Sequence, residues 1–370
     1  MLKLKKKIRI LYIITGLTSG GAELNLASII NHLDLSAFEP IVCSLTTTYD
    51  VLPLIRKKTN RIYILNAKRQ IDFIKTIFLV RKIIKKENPD IIHCILFHSN
   101  IIGRFAAIGL RKKIITSVRT KLLNNHIGNF IDFISQSLVD IYLVNSNSLR
   151  NFITHYGIKE KKIFLIENSI DFKIFKPTKA KEDIRNELNL PKIPVITTVA
   201  NFKTQKDYPT IIKALNLIKD EFNFTYLILG KSLKFEDKEL NIKALINKYG
   251  LKNVRFLGFR NDVANILSIT DIWVSSTMFE GQSNSLLEAM AMSVPIITTN
   301  IPENKELVHH NKEALLIPVK SPTSLANSIK ILLNDKEMAE KLAMNAQKRV
   351  RKLYNHQGPL NKIINLYYQI

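Results

Sequence analysis

The chain is predicted to be an α/β protein of two doubly wound, Rossmann-like domains that face each other across a cleft. Three observations carry this. Short apolar runs alternate with amphipathic, helix-like stretches almost from end to end, the pattern of successive βα units that build a parallel sheet. One charged stretch, broken by Pro177, Pro191 and Pro194, interrupts that alternation near the middle. Finally, 370 residues are too many for one ordinary α/β core but suit two, at roughly 100 to 200 residues each.

In chain order, the first domain (1–170) opens with a strand over Ile8–Ile14, the loop Thr15-Gly16-Leu17-Thr18-Ser19-Gly20-Gly21 and a helix over Ala22–His32. The basic, apolar start has the look of a leader peptide, but its apolar run is short and no small-residue cleavage pattern follows, so a strand and its loop are expected. Further strands are expected at Ile41–Leu45, Arg61–Leu65, Ile91–Leu96, Lys113–Val118, Ile141–Val144 and Ile163–Ile166. Residues 171–193 read as a linker with room for one helix. A second series follows in the domain 194–356, at Val195–Ala200, Phe224–Leu229, Val254–Leu257, Ile272–Ser275, Val294–Thr298 and Ala314–Pro318. After Ser321 the pattern is helical, and the last helix, about 357–370, is expected to pack back on the first domain. Ligands of such sheets bind beyond the carboxyl ends of the strands.

Composition narrows the partner. The chain carries 55 Lys+Arg against 31 Asp+Glu, a net charge of +24. Part of this follows from a general Ile/Asn/Lys bias. The rest points to phosphate, nucleic acid or an anionic bilayer without choosing among them. Cys43 and Cys94 both sit in apolar runs, which implies buried free thiols in a reducing, cytoplasmic setting. No run of roughly 18 apolar residues occurs, so any membrane contact is expected to be peripheral. Lys3-Leu4-Lys5-Lys6-Lys7 and the stretch Phe73–Lys86 are candidates for docking on anionic lipid. A helix that packs its apolar stripe on the sheet and leaves its lysines in water explains Phe73–Lys86 equally well.

Chemistry concentrates in a few segments. Gly20 and Gly21 follow a strand and open a helix, where backbone N–H groups can approach a phosphate or sugar, although a tight turn needs the same residues. The spacing is not that of a dinucleotide fingerprint. The richest string is Met278-Phe279-Glu280-Gly281-Gln282-Ser283-Asn284-Ser285-Leu286-Leu287-Glu288-Ala289-Met290-Ala291. Its Ser/Asn cluster suits a helix N-terminus, with Glu280 in the loop before it and Glu288 about two turns into the helix. One carboxylate can then reach a sugar and the other a ribose on either side of phosphates held at that N-terminus.

This string resembles the two-glutamate motif of the retaining glycosyltransferases of family four (glycosyl transferases group one), whose fold is GT-B. Glu280 and Glu288 have the family's spacing. The resemblance extends over Val199–Asp207, where Lys206 matches a lysine that grips the donor diphosphate, while Asn201 stands where arginine is common and Lys203 is the substitute cation. Asn168-Ser169-Ile170-Asp171 resembles the family's hinge signature, with Ser for Gly. Pro89-Asp90-Ile91-Ile92-His93 resembles the strand whose histidine lies beside the donor sugar. Asn304 and Glu306 match a Gly-Gly-containing segment that has lost its glycines here. Arg119, after a strand of the first domain, is a candidate on the acceptor side.

The resemblance implies transfer of a hexose or N-acetylhexosamine from a UDP- or GDP-sugar, with retention, to a saccharide acceptor, lipid-linked, in a bacterial surface glycan. It assigns Glu280, His93 and Lys206 to catalysis. Donor binding falls to Glu288, Gly281, Ser283, Asn284, Ser285, Leu286, Asn201, Lys203, Gly20 and Gly21. No Asp-x-Asp occurs, and neither His309-His310 nor His93 with His98 has a third ligand, so no metal or other cofactor is expected. A nonhydrolysing sugar-nucleotide epimerase shares fold and ligand, but the two-glutamate motif speaks against it. A nucleic-acid-binding protein would explain the charge, yet basic and aromatic residues are not interleaved in a recognition pattern, and no nucleic-acid partner is expected.

Overall fold

The computed structural model describes residues 6–18, 20–67, 72–120, 126–231 and 238–370. Most of the Lys3–Lys7 cluster and Ser19 therefore lie outside the described residues. The chain divides into two compact units, Met1–Glu167 with Gly358–Ile370, and Asn168–Gln357.

The first unit is a seven-stranded parallel sheet. Its strands are β1 (Ile8–Ile14), β2 (Phe38–Ser44), β3 (Ile62–Ile64), β4 (Ile91–Ile95), β5 (Lys113–Val118), β6 (Ile141–Val144) and β7 (Ile163–Leu165). Their order is β3-β2-β1-β4-β5-β6-β7. Both faces are covered, so β1 shows no polar alternation: Ile10, Tyr12 and Ile14 pack on one side and Leu11 and Ile13 on the other, all fully buried. Strand β2 starts three residues earlier than the sequence suggests. Pro40 pairs with Ile10 across β1, while β3 meets β2 only from Val42 onward, so the missing proline N–H is not demanded by a ladder on the outer side. The C-terminal helix Gln357–Gln369 completes one face, burying Leu360, Ile363, Leu366 and Tyr367 among Ile10, Tyr12, Leu26 and Ile30. Cys43 and Cys94 are free and buried in the sheet, and burial pushes both thiols up to about 12.

The second unit has six parallel strands: β8 (Val195–Val199), β9 (Thr225–Leu229), β10 (Val254–Gly258), β11 (Ile272–Val274), β12 (Ile296–Thr299) and β13 (Leu315–Ile317). They are ordered β10-β9-β8-β11-β12-β13. The expected linker proves to belong to this unit. Its helix Lys181–Glu187 buries Ile184 against Val195, Leu227 and Leu229, and Thr178 donates its backbone N–H to Asn265 Oδ1 at 2.7 Å. The segment 171–193 thus packs on the face of the sheet over β8 and β9.

In each sheet the chain winds outward in both directions from two central strands, β1 and β4 in the first and β8 and β11 in the second. The loops after such a pair diverge and open a crevice at the carboxyl edge.

Candidate active site

In the second unit both crevice loops carry the predicted chemistry. After β8 the chain makes a short turn over Thr204–Lys206, with Asp207 in the left-handed region at φ 45°, before the helix Tyr208–Ile218. After β11 runs the loop to Ser283. Hydrogen bonds stitch the two loops together. Met278 N donates to Gln205 O at 2.8 Å, Thr277 Oγ1 to Gln205 O at 3.1 Å, and Ser276 Oγ to Asp207 O at 2.6 Å. Lys206 Nζ consequently meets Glu280 Oε2 at 2.5 Å, with side chains 14% and 17% exposed. A pair this desolvated interacts more strongly than one in water, yet both groups keep a face to solvent.

Ser283 caps the helix Asn284–Ala291: its hydroxyl accepts from Leu286 N at 3.3 Å and lies 3.2 Å from Ser285 Oγ. Capping fixes the direction of the helix, whose N-terminal N–H groups and dipole favour an anion there. Glu288 follows one face of that helix, and burial raises its carboxyl to about 7. Gly281 is buried in the loop between Glu280 and the cap.

Several predicted residues take other work. Leu286 is fully buried in the core with Trp273 and Met290, so its side chain cannot touch a donor. Asn201 Oδ1 accepts from Lys231 N at 3.0 Å, tying the loop after β8 to the loop after β9. Lys203 is exposed. Asn304 is buried and donates through Nδ2 to Thr298 Oγ1 at 2.9 Å and Thr299 O at 2.9 Å, a structural tie.

The first unit departs further from expectation. His93 is 0% exposed, and both ring nitrogens are engaged, Nδ1 with the Tyr367 hydroxyl and Nε2 with Ser117 Oγ, each at 2.8 Å. Burial, and then the Arg119 charge, drives its pKa down to about 3, so it is neutral. A sealed imidazole with no free nitrogen locks the C-terminal helix to β4 and cannot reach a sugar from there. Gly20 is the N-cap and Gly21 the first residue of the helix Gly21–His32, whose first turn carries the buried Glu23. Thr18 Oγ1 donates to Glu23 Oε1 at 2.8 Å, and a Cβ on Gly20 would strike Glu23 Oε2. Gly20 therefore makes room for the Glu23 carboxylate. Arg119, at the end of β5, donates through Nη2 to Asn25 Oδ1 at 3.1 Å, and desolvation lowers its guanidinium to about 10.

Two residues escaped the sequence reading. Gln282, 5% exposed, accepts from Asn168 N through Oε1 and from Asn168 Nδ2 through its carbonyl oxygen, the latter at 2.9 Å, so the Asn168–Asp171 segment braces the two-glutamate loop. Lys231, at the end of β9, holds its ammonium 5.3 Å over the Phe259 ring. Only their place beside β8 and β11 marks them. Among the described residues no group of three or more His, Cys, Asp or Glu is arranged to hold a metal ion.

The second unit thus presents a cation, two carboxylates and a capped helix N-terminus at one sheet edge, a set suited to a sugar joined to a diphosphate. The family models agree. Residues 180–349 match that of the glycosyl transferases group 1, and residues 19–173 that of glycosyltransferase family 4. The chain belongs to this glycosyltransferase family.

The chain is 26% identical over 310 residues, 79% of each chain, to an Escherichia coli UDP-Gal:α-D-GlcNAc-diphosphoundecaprenol α-1,3-galactosyltransferase. It is 26% identical over 290 residues to a Campylobacter jejuni N,N′-diacetylbacillosaminyl-diphospho-undecaprenol α-1,3-N-acetylgalactosaminyltransferase, covering 74% of this chain and 75% of the relative. Anabaena HepE in complex with UDP and glucose superposes with a TM-score of 0.86 at 19% identity, covering 98% of this chain and all of the other. A glycosyltransferase from Rickettsia africae does so with 0.81 at 21%, covering 99% of both. These neighbours establish the GT-B fold, and the enzyme is a glycosyltransferase.

Proposed function

We propose that the enzyme transfers a hexose or N-acetylhexosamine, with retention, from a UDP- or GDP-sugar to a lipid-linked saccharide acceptor of a bacterial surface glycan. The observation that carries this reading is the Lys206–Glu280 pair held over the β8–β11 crevice beside the Ser283-capped helix. Transfer leaves a nucleoside diphosphate whose charge must be balanced as the glycosidic bond breaks. Lys206 and the N-terminus of the helix Asn284–Ala291 supply that balance, with Lys203 and Lys231 as further cations. Glu280 exchanges part of its contact with Lys206 for donor sugar hydroxyls, and Glu288 accepts from the ribose. No metal is called upon. A donor phosphate oxygen takes the proton of the acceptor hydroxyl as it attacks the same face that the leaving group departs, which preserves the anomeric configuration.

The lipid-linked acceptor is supported by the acceptors named for the two bacterial relatives and by one surface of the first unit. The helix Phe73–Glu87 buries Val80, Ile83 and Ile84 but exposes Ile74 at 69% and Phe78 at 61%, with Lys75, Lys82, Lys85 and Lys86 exposed along it. Exposed apolar residues leading into a row of lysines suit the headgroup region of an anionic membrane, on the cytoplasmic face in this reading. No helix among the described residues is long and apolar enough to cross a membrane.

The test is nucleoside diphosphate release from a panel of UDP- and GDP-sugars, with and without bacterial lipid extract. Lipid-dependent release from one donor that collapses in Glu280→Ala is the expected result. Release that is indifferent to lipid, or unchanged in Glu280→Ala, would refute this reading.

A further inference from the structure

The first unit contains a pocket that the donor chemistry does not use. It opens between the end of β5, the N-terminal turn of the helix Phe97–Ala107, the helix His126–Ser135 and the helix Asn147–His155. Its accessible wall is mainly apolar, with Phe97, Phe133, Phe152 and Tyr156 among the lining residues. Two of those residues end in buried polar atoms that find no hydrogen-bond partner among the described residues, Asn100 Oδ1 and the Tyr142 hydroxyl. Asn100 is 4% and Tyr142 2% exposed.

The rest of each side chain is fixed. Asn100 Nδ2 donates to Ser117 O at 3.1 Å, which directs Oδ1 away from that strand. The Tyr142 ring lies under the buried Arg104 guanidinium at 5.6 Å, and Arg104 in turn grips Asp132 at 2.6 Å. Buried polar groups are almost always satisfied, because leaving one bare forfeits its hydration with nothing in return. Two bare atoms held rigidly at one apolar pocket therefore ask for a ligand that brings one donor and one acceptor on an otherwise apolar body. Arg119 also lines the pocket, with its Nη2 held by Asn25 Oδ1 at 3.1 Å. The buried side-chain atoms of Asn145, Thr225 and Trp273 that likewise find no partner among the described residues do not line it.

We infer that this pocket recognises the acetamido group of an N-acetylated sugar residue of the acceptor. Asn100 Oδ1 accepts from the amide N–H, the Tyr142 hydroxyl donates to the amide carbonyl, and the aromatic wall takes the methyl group and the C–H face of the ring. The inference rests on the proposed saccharide acceptor and deepens it, making this pocket a specificity site separate from the donor site.

Binding of methyl glycosides to the intact enzyme, followed by ligand-observed NMR and titration, tests it without any turnover. The methyl glycosides of N-acetylglucosamine and N-acetylgalactosamine are expected to bind, and those of glucose and galactose at least tenfold more weakly. Tyr142→Phe keeps the ring on Arg104 and removes only a hydroxyl that has no partner among the described residues, so it is expected to weaken the acetamido sugars about tenfold, equivalent to ~1.4 kcal/mol. Equal binding of acetylated and non-acetylated glycosides, no binding of either, or unchanged binding in Tyr142→Phe overturns the inference. The two readings fail separately. Lipid-dependent donor turnover without acetamido discrimination removes only the pocket's role, whereas acetamido binding without turnover of any donor removes the transfer reaction and leaves the pocket.

Discussion

The two sheets place their crevices at equivalent points, yet they use them in opposite ways. In the second unit the loops after β8 and β11 hold a charged pair, Lys206 and Glu280, that keeps some exposure. In the first unit the corresponding strands β1 and β4 bury Tyr12 and His93, which meet the C-terminal helix through Tyr367. One crevice presents an ionic pair that keeps some exposure, the other buries a neutral histidine. A position on a fold therefore does not make a residue catalytic. What decides is whether a second element has already consumed its hydrogen bonds.

The sharpest way to break this contrast is to remove the ionic pair. Lys206→Ala and Glu280→Ala are each expected to lower kcat by about 10²–10³-fold, the usual cost of a group that stabilises developing charge. The melting temperature should change less than turnover does, because each group keeps a face to solvent and the charge left behind can still be hydrated. A scan that shows strong destabilisation with turnover retained would reverse the assignment.

The sealed crevice should answer in the opposite sense. Tyr367→Phe leaves His93 Nδ1 buried without its hydroxyl partner, at a cost of about 1–3 kcal/mol. For a unit of this size that is a fall in melting temperature of roughly 2–4 °C per kcal/mol. Turnover measured below the transition should stay within a few-fold of wild type. A loss of kcat as large as that of Lys206→Ala would return His93 to the reaction.

Glu288 sharpens the comparison through pH. Its carboxyl is raised to about 7 by burial, so the proton is held more tightly in the folded protein than in the unfolded chain. Below pH 7 the group is mostly neutral and accepts poorly from a ribose, while above it the carboxylate accepts well. Nucleoside diphosphate affinity is expected to rise several-fold from pH 6 to pH 8, and Glu288→Gln should flatten that part of the profile. The same sign makes the fold lose stability as pH climbs from the ordinary carboxylate range through about 7.

The smallest effect belongs to the surface. Replacing Ile74 and Phe78 with Asp is expected to weaken binding to vesicles containing anionic lipid by about tenfold without altering release from a donor in detergent. Binding that stays the same would assign the apolar end of the helix Phe73–Glu87 some other purpose.

The two-domain architecture, nearly every strand and the Glu280–Glu288 string were legible because they depend on local periodicity and on the capping chemistry of Ser283. The place of Lys206 was legible for the same reason, since it lies a fixed number of residues beyond a recognisable strand. The fate of His93, Gly20 and Leu286 was not. His93 has its Nδ1 taken up by a residue 274 positions away, Gly20 lies against a carboxylate that folds back one turn, and Leu286 is enclosed by a core assembled from several elements. Gln282 and Lys231 were missed because their partners, Asn168 for the one and Asn201 and Phe259 for the other, lie in loops distant in the chain.

By itself, then, the sequence determined which segments pair into sheets, where the helices begin and which segment carries the two glutamates, since periodicity and capping act over a few residues. Tertiary structure alone decided which polar side chains remain available to a ligand. Availability is settled by long-range partners that compete for each donor and acceptor, and by desolvation that only a closed core can impose.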